Sequence, residues 1–426
     1  MQNDKKRWNV NDTKWVFSLY GTAIGAGVLF LPINAGRGGL IPMIIMLILA
    51  FPLTFLTHRA LCRFVLGGSK KSDNITVVGE AYFGKTGGIV LTLLYFFAIF
   101  PILLVYSVGI TNNISSFITH QLSLPIDIES HRLILSFLIV AILMSIVCLG
   151  RDVVVNAMSL IVFPFIVVLM ISALWLIPKW NMALFENISF SAVNGQSMWM
   201  IILLILPTMV FAFNHSPIIS TLAVSAKESY GDDADRKTSK IIAFSNILMI
   251  VTVMFFVFSC AMSLTPEQFQ EAKDQNLPIL SYLANQFEDM RTFAYFAPII
   301  AFVAMAKSFF GHYLGSKEGL DRIIFLVSRE KLPQKTVEFI TAIITFFVCW
   351  FVAYKNPNVL GIIESIGGPI LAILLFLLPL FAIYKFPQLH KYKNFWQNIF
   401  ILVFGIVIIF TAIYNDIIVA YLLPTK

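Results

Sequence analysis

The chain has 426 residues, of which 58% are hydrophobic and 12% charged, with a formal net charge of +7. Apolar content this high, in runs this long, excludes a water-soluble globular protein and leaves no room for a sizeable soluble domain, so the chain is integral to a membrane. The basic surplus would suit nucleic acid as a partner, but its distribution along the chain points elsewhere.

The first residues, "MQNDKKRWNVNDTK", are polar, and the apolar run after them has no small-residue cleavage site. That run therefore reads as the first spanning helix, not as a removable signal peptide. A window of about 20 residues places apolar spans near 15–35, 39–66, 87–119, 132–150, 153–178, 198–222, 238–264, 292–318, 337–354, 357–384 and 396–421. The expectation is thus an all-α integral membrane protein of eleven transmembrane helices, forming one domain over residues 1–426. With the N-terminus inside, 22 of the 30 Lys and Arg residues fall in cytoplasmic loops and 7 on the outer side, leaving Lys307 within a span. The positive-inside rule then sets a cytoplasmic N-terminus and a C-terminus on the outer side, and the basic surplus becomes a topology signal. Nucleic acid is not expected as a partner.

Between spans seven and eight, residues 265–291 mix charges with apolar residues at helical spacing, which predicts short helices over the outer face, either a lid or a solvated connector. "GEAYFGKT", Gly79–Thr86, matches the phosphate-loop pattern formally, but it falls in a short cytoplasmic loop and lacks the strand and helix that the motif needs. The four cysteines, Cys62, Cys148, Cys260 and Cys349, sit in separate apolar runs without ligand spacing. They read as free thiols, and no metal or other cofactor is expected. No arrangement of serines and histidines suggests an enzyme.

Two spans are interrupted. "GTAIGAG", Gly21–Gly27, places three glycines at the middle of the first, and "FNHSP", Phe213–Pro217, interrupts the sixth at similar depth. In hydrocarbon an unpaired backbone group costs several kcal/mol, so such breaks persist only where they face a cavity, a ligand or other protein. Close packing or a simple proline kink explains either one alone. The pair, first and sixth in order, points to two inverted five-helix repeats, 15–178 and 198–384, with an additional helix at 396–421, the pattern of a secondary transporter.

The segments "YGTAIGAGVLFLPINAG", "AFNHSPIIS", "KSFFGHYLG", "NPNVLGIIESIGGPI" and "AKESYGDDADRKTSK" carry a resemblance that runs along nearly the whole chain. It is to the hydroxy and aromatic amino acid permease family of bacterial inner membranes, within the amino acid–polyamine–organocation superfamily, and nearest to that family's serine permeases. The resemblance implies the LeuT-like fold and proton-coupled symport of L-serine into the cytoplasm by alternating access.

An amino acid brings a carboxylate and an ammonium. Backbone at Ala23, Gly25, Ala26 and Gly27, with the positive end of the outer half-helix, suits the carboxylate, and carbonyls near Phe211 and Phe213 suit the ammonium. Asn214 and Ser216 are the nearest polar side chains for a substrate hydroxyl. Tyr106, mid-span in the third helix, is by resemblance the tyrosine that closes over the carboxylate; the plainer reading is a packing tyrosine bonded to a carbonyl. Lys307 lies roughly 20 Å below the outer surface, where a lysine costs about 2.5–3.5 kcal/mol on insertion scales and needs a partner. Related sodium-driven transporters bind a cation between helices one and eight, near Lys307 and Ser308. One reading has the Lys307 ammonium replace that sodium and couple transport to protons; the other is a structural lysine bonded to carbonyls of the first helix. Glu364 either carries the proton, closes an outer gate with a cation, or is merely hydrogen-bonded. His215 and His312 are either proton relays or satisfied core residues.

Threonine adds one methyl to serine, and a pocket separates them by only about 1–3 kcal/mol. A threonine or aromatic amino acid symporter, driven by protons or by sodium, therefore stays open. A passive channel and an amino acid sensor are the rivals from other classes.

Overall fold

The structure, a computed structural model, describes residues 7–125, 127–149, 151–181, 183–186, 198–287 and 289–414. Residues 415–421 of the predicted last helix lie outside these. The described residues are helical, without strands. In chain order the main helices are α1 (Val10–Ala23), α2 (Ala26–Arg37), α3 (Leu40–Leu66), α4 (Ile75–Ser116), α5 (Ile128–Cys148), α6 (Arg151–Trp175), α7 (Met198–Ala212) and α8 (Ser216–Tyr230). They continue as α9 (Ala234–Ser263), α10 (Pro266–Asp274), α11 (Ile279–Gln286), α12 (Arg291–Val327), α13 (Gln334–Lys355), α14 (Val359–Lys385) and α15 (Phe395–Ile413).

Among the described residues nine helical stretches are long and apolar enough to cross a membrane, or ten when the bent pair α1 and α2 counts as one span. Their outward surface is apolar: Ile134, Phe163, Val251, Phe351 and Phe410 are all exposed. Such a surface suits lipid, which is as apolar as the side chains it meets. Polar residues turn inward instead, and Ser107, Thr111, His215, Asn246 and Lys307 are buried.

Local chemistry sets the helix ends. Asn9 caps α1 reciprocally with Asp12, each side chain accepting from the other's backbone N–H at 3.0 Å. Ile24 and Gly25 are extended, so α1 stops and α2 starts afresh at a bend of 59°. At the second interruption residues 213–215 leave the helix, and α8 restarts with Pro217 in its first turn, where the missing N–H costs nothing. Gly79–Thr86, expected in a loop, belongs to the first turns of α4, which turns sharply at Gly84 with φ +73°. In α14 two wide turns of i→i+5 type, Ile363–Gly367 and Ile373–Leu377, relieve the ladder, the first of them around Glu364.

The segment after α9 is no solvated connector. Phe269 of α10 and Leu280, Tyr282 and Leu283 of α11 are buried, and the Phe269 ring packs so closely on Gly36 that a Cβ there would overlap it. Asn276, between the two helices, donates to Asn356 Oδ1 at 3.0 Å and to Pro357 O at 2.9 Å, and its own Oδ1 accepts from Val359 N. These helices are pinned across the end of α2 and the start of α14.

Candidate functional site

The two interruptions meet inside the bundle. A Cβ built on Gly27 would lie 2.5 Å from Ala212 Cα and 2.8 Å from the Phe211 ring, so the start of α2 rests directly on the end of α7. Only a glycine allows this approach. Ala23, Gly25, Ala26, Phe211, Phe213, Asn214 and Ser216 are all buried around the same point. The first amides of α2 have no partner within their own helix and carry its positive dipole end.

Tyr106 of α4 and Ser308 of α12 close on Gly25: a Cβ there would overlap Ser308 Oγ and lie 2.7 Å from Tyr106 Oη. Ser308 Oγ donates to Ile24 O, the last free carbonyl before the break, at 2.7 Å. Lys307, next to it, makes no such bond. Its Nζ has no hydrogen-bond partner among the described residues and lies 5.5 Å from the centroid of the Phe165 ring. A lysine held by carbonyls of the first helix is therefore not what the structure contains. His312 sits one turn further, with Nδ1 2.8 Å from Ser308 O and its ring 5.3 Å from that of Tyr106.

The carbonyls near the second break are partly engaged. Phe211 O accepts from Asn214 N at 3.2 Å, and Phe213 O accepts from His215 Nδ1 at 3.0 Å. Asn214 Oδ1 accepts from Ser216 N, whereas Asn214 Nδ2, Ser216 Oγ and His215 Nε2 are buried without partners among the described residues. Unpaired polar groups at that depth are costly unless something else meets them.

Glu364 lies apart from this centre, towards α10. Its Oε1 accepts from Asn34 Nδ2 at 2.6 Å, and the same amide donates to Thr208 Oγ1 at 2.9 Å. Lys273 Nζ of α10 stands 3.8 Å from Glu364 Oε1, and the charge of Arg37 bears on the same carboxylate. Burial holds the Lys273 amine below its ordinary value, Glu364 opposing the shift and Arg37 adding to it. At the opposite end of the bundle, Asp12 and Lys237 form a buried ion pair at 2.7 Å. Tyr230 Oη donates to Asp12 Oδ1 at 2.6 Å, and Lys237 also donates to Arg7 O.

The model of the tryptophan/tyrosine permease family matches residues 15–419. The chain belongs to that family. Its relatives include the serine transporter SdaC of Escherichia coli (strain K12), 51% identical over 421 residues and 97% of each chain. Another is the threonine/serine transporter TdcC of Edwardsiella tarda, 44% identical over 428 residues and 96% of each chain. Two solved structures share the fold. A mutant of the manganese transporter of Eremococcus coleocola gives a TM-score of 0.64 at 13% identity, over 97% of this chain and 88% of its own. MhsT in complex with L-phenylalanine gives 0.59 at 14% identity, over 94% and 96%. At such identities these likenesses bear on the fold alone, which is the LeuT-like fold of multi-pass membrane transporters.

The sequence singled out the glycines of the first break, Tyr106, Lys307 and Glu364 as candidates for this permease family member, and gave no place to His58 of α3. That residue stacks on His215. A histidine 18 residues into an apolar run was itself a signal, since intramembrane ionisable residues are rare. Asn34, Thr208 and Lys273 were missed as the partners of Glu364, because their positions relative to it arise only on folding.

Proposed function

We propose that the chain is a proton-coupled symporter that takes L-serine into the cytoplasm by alternating access. The observation that carries this reading is the contact of the two helix breaks at Gly27 and Ala212, with the first amides of α2, which have no partner in their own helix, on one and buried, unpartnered polar side-chain atoms on the other. Such a place can grip a small zwitterion by its carboxylate and ammonium. The 51% and 44% identical relatives are named for serine and threonine/serine transport, which supports the substrate class.

In this reading the substrate carboxylate takes the amides of Ala26 and Gly27 beneath Tyr106, and Asn214 and Ser216 serve its hydroxyl. Counting Met198–Tyr230 as one interrupted span, like Val10–Arg37, gives eleven crossings. These divide into inverted repeats, 15–178 and 198–384, and an additional helix. The bilayer is the bacterial inner membrane, with the N-terminus cytoplasmic. The Asp12–Lys237 pair then closes the inner end and the Lys273–Glu364 pair the outer end.

Lys307 supplies the coupling charge beside the first break. On this reading its ammonium takes the part of the cation that sodium-driven relatives bind between helices one and eight, and its freedom from hydrogen bonds suits a group that gains and loses a proton each cycle. Uptake by reconstituted vesicles tests the reading, with a panel of amino acids and with pH and sodium gradients imposed separately. Serine accumulation driven by an inwardly directed proton gradient, together with exchange of labelled for unlabelled serine, is the expected result. Leakage without exchange would indicate a pore, and accumulation driven only by sodium would reject proton coupling. Lys307→Met retaining full proton dependence would remove Lys307 from the mechanism.

A further inference from the structure

His58 and His215 stack with ring centroids 3.7 Å apart and planes 15° from parallel, both fully buried. Their partners fix the tautomers, because a carbonyl oxygen only accepts. His58 Nδ1 lies 2.8 Å from Thr54 O and must carry its proton there, which leaves Nε2 to accept the His215 backbone N–H at 3.2 Å. His215 Nδ1, 3.0 Å from Phe213 O, is likewise the protonated nitrogen. One lone pair of the two rings is then unclaimed. It belongs to His215 Nε2, which has no hydrogen-bond partner among the described residues.

We propose that the His58–His215 pair is a single-proton site at the second helix break, filled at His215 Nε2, with His58 as its positioning residue. This rests on the proton-coupled reading and adds to it a site separate from Lys307. A second proton is excluded by geometry: it would break the bond from the His215 amide to His58 and set two cations 3.7 Å apart. His58 holds the start of α8 only while its Nε2 stays bare.

Other charges do not compensate the site. Of the ionisable groups on packed elements, Lys307 and His312 of α12, Glu364 of α14, and the Asp12–Lys237 pair of α1 and α9 are bonded to neither ring. Arg59, on the same helix as His58, is committed to Gln397. Burial in the apolar core, with His58 neutral beside it, disfavours a charge on His215. An imidazolium here also sits at the positive end of α8, which disfavours it. A substrate carboxylate held on the amides of Ala26 and Gly27, across the Gly27–Ala212 contact, offsets both costs, so carboxylate and proton load together, each raising the affinity for the other.

The test uses the full chain in lipid nanodiscs, with ¹⁵N-labelled histidine observed between about pH 5 and 8, the range in which imidazole titrates. His215→Gln and His58→Gln assign the two rings among the six histidines. The expected result is a change at His215 Nε2 alone, moved to higher pH by added serine, with His58 keeping its tautomer throughout. In proteoliposomes, the ratio of pH-driven accumulation to equal-pH exchange should fall at least tenfold in His215→Gln, and the pH midpoint of transport should move in His58→Gln. A His215 Nε2 signal unchanged over the whole range, or a wild-type ratio in His215→Gln, would overturn the proposal. If wild-type vesicles ignore a pH gradient, the proton-coupled reading itself falls, while the spectra still decide whether the pair takes a proton.

Discussion

A methyl group added at Gly25 meets side chains, Ser308 and Tyr106, whereas one added at Gly27 meets the backbone of Ala212. Side chains can rotate away and a backbone cannot. Gly27→Ala should therefore cost more transport than Gly25→Ala, about 100-fold for a displacement near 1 Å at the gripping point. Uptake normalised to the amount of inserted protein measures this, and a fully active Gly27→Ala would show that the two breaks need not touch. At this scale the sequence was legible wherever a residue type was anomalous for its surroundings. Glycines in mid-span and a lysine in hydrocarbon announce themselves. Their partners do not, because nothing in the order of residues says that Asn34 reaches Glu364 or that the amide of His215 ends on His58.

Each end of the bundle is tied by a charged pair between elements distant in sequence. Removing one partner of the buried Asp12–Lys237 pair leaves the other charge uncompensated, a cost of about 3–5 kcal/mol, whereas removing both is near neutral. Asp12→Asn should accordingly lower the melting temperature and speed labelling of a cysteine placed at Ala23 in a cysteine-free background. The double variant with Lys237→Met should recover most of the melting temperature; equal losses in single and double variants would mean that the pair does not tie this end. At the other end the Lys273 ammonium, and with it the attraction to Glu364, is present at neutral pH and lost as pH rises through a value below the ordinary 10.5. Alkaline medium on that side should loosen α10 and raise its amide exchange, and Lys273→Gln should show the raised exchange already at neutral pH. The helices themselves were readable from hydropathy, but their polar ends were not: α4 starts at Ile75 and α12 runs on to Val327, well beyond the apolar spans 87–119 and 292–318. The pinning of α10 and α11 was not, since their buried apolar faces are too short to distinguish a docked segment from a solvated one.

At the scale of the whole molecule, hydropathy gave an all-helical membrane protein, and the structure gives nine or ten long apolar stretches among the described residues. The difference from eleven lies in how interrupted helices are counted: Met198–Ala212 is short by itself, and the helical stretch Ser216–Ser263 runs through a tight turn at Gly231. Repeat symmetry is a property of arrangement, and only the matched interruptions hinted at it. The abutment of Gly27 on Ala212 and Phe211 sets a ceiling on what the molecule can swallow. A guest small enough to nestle beside the hinge lets both halves shut, whereas an indole side chain acts as a doorstop. Tryptophan should hence compete with labelled serine for binding yet fail to exchange for it across the vesicle wall, and efficient tryptophan exchange would mean that Phe211 swings aside.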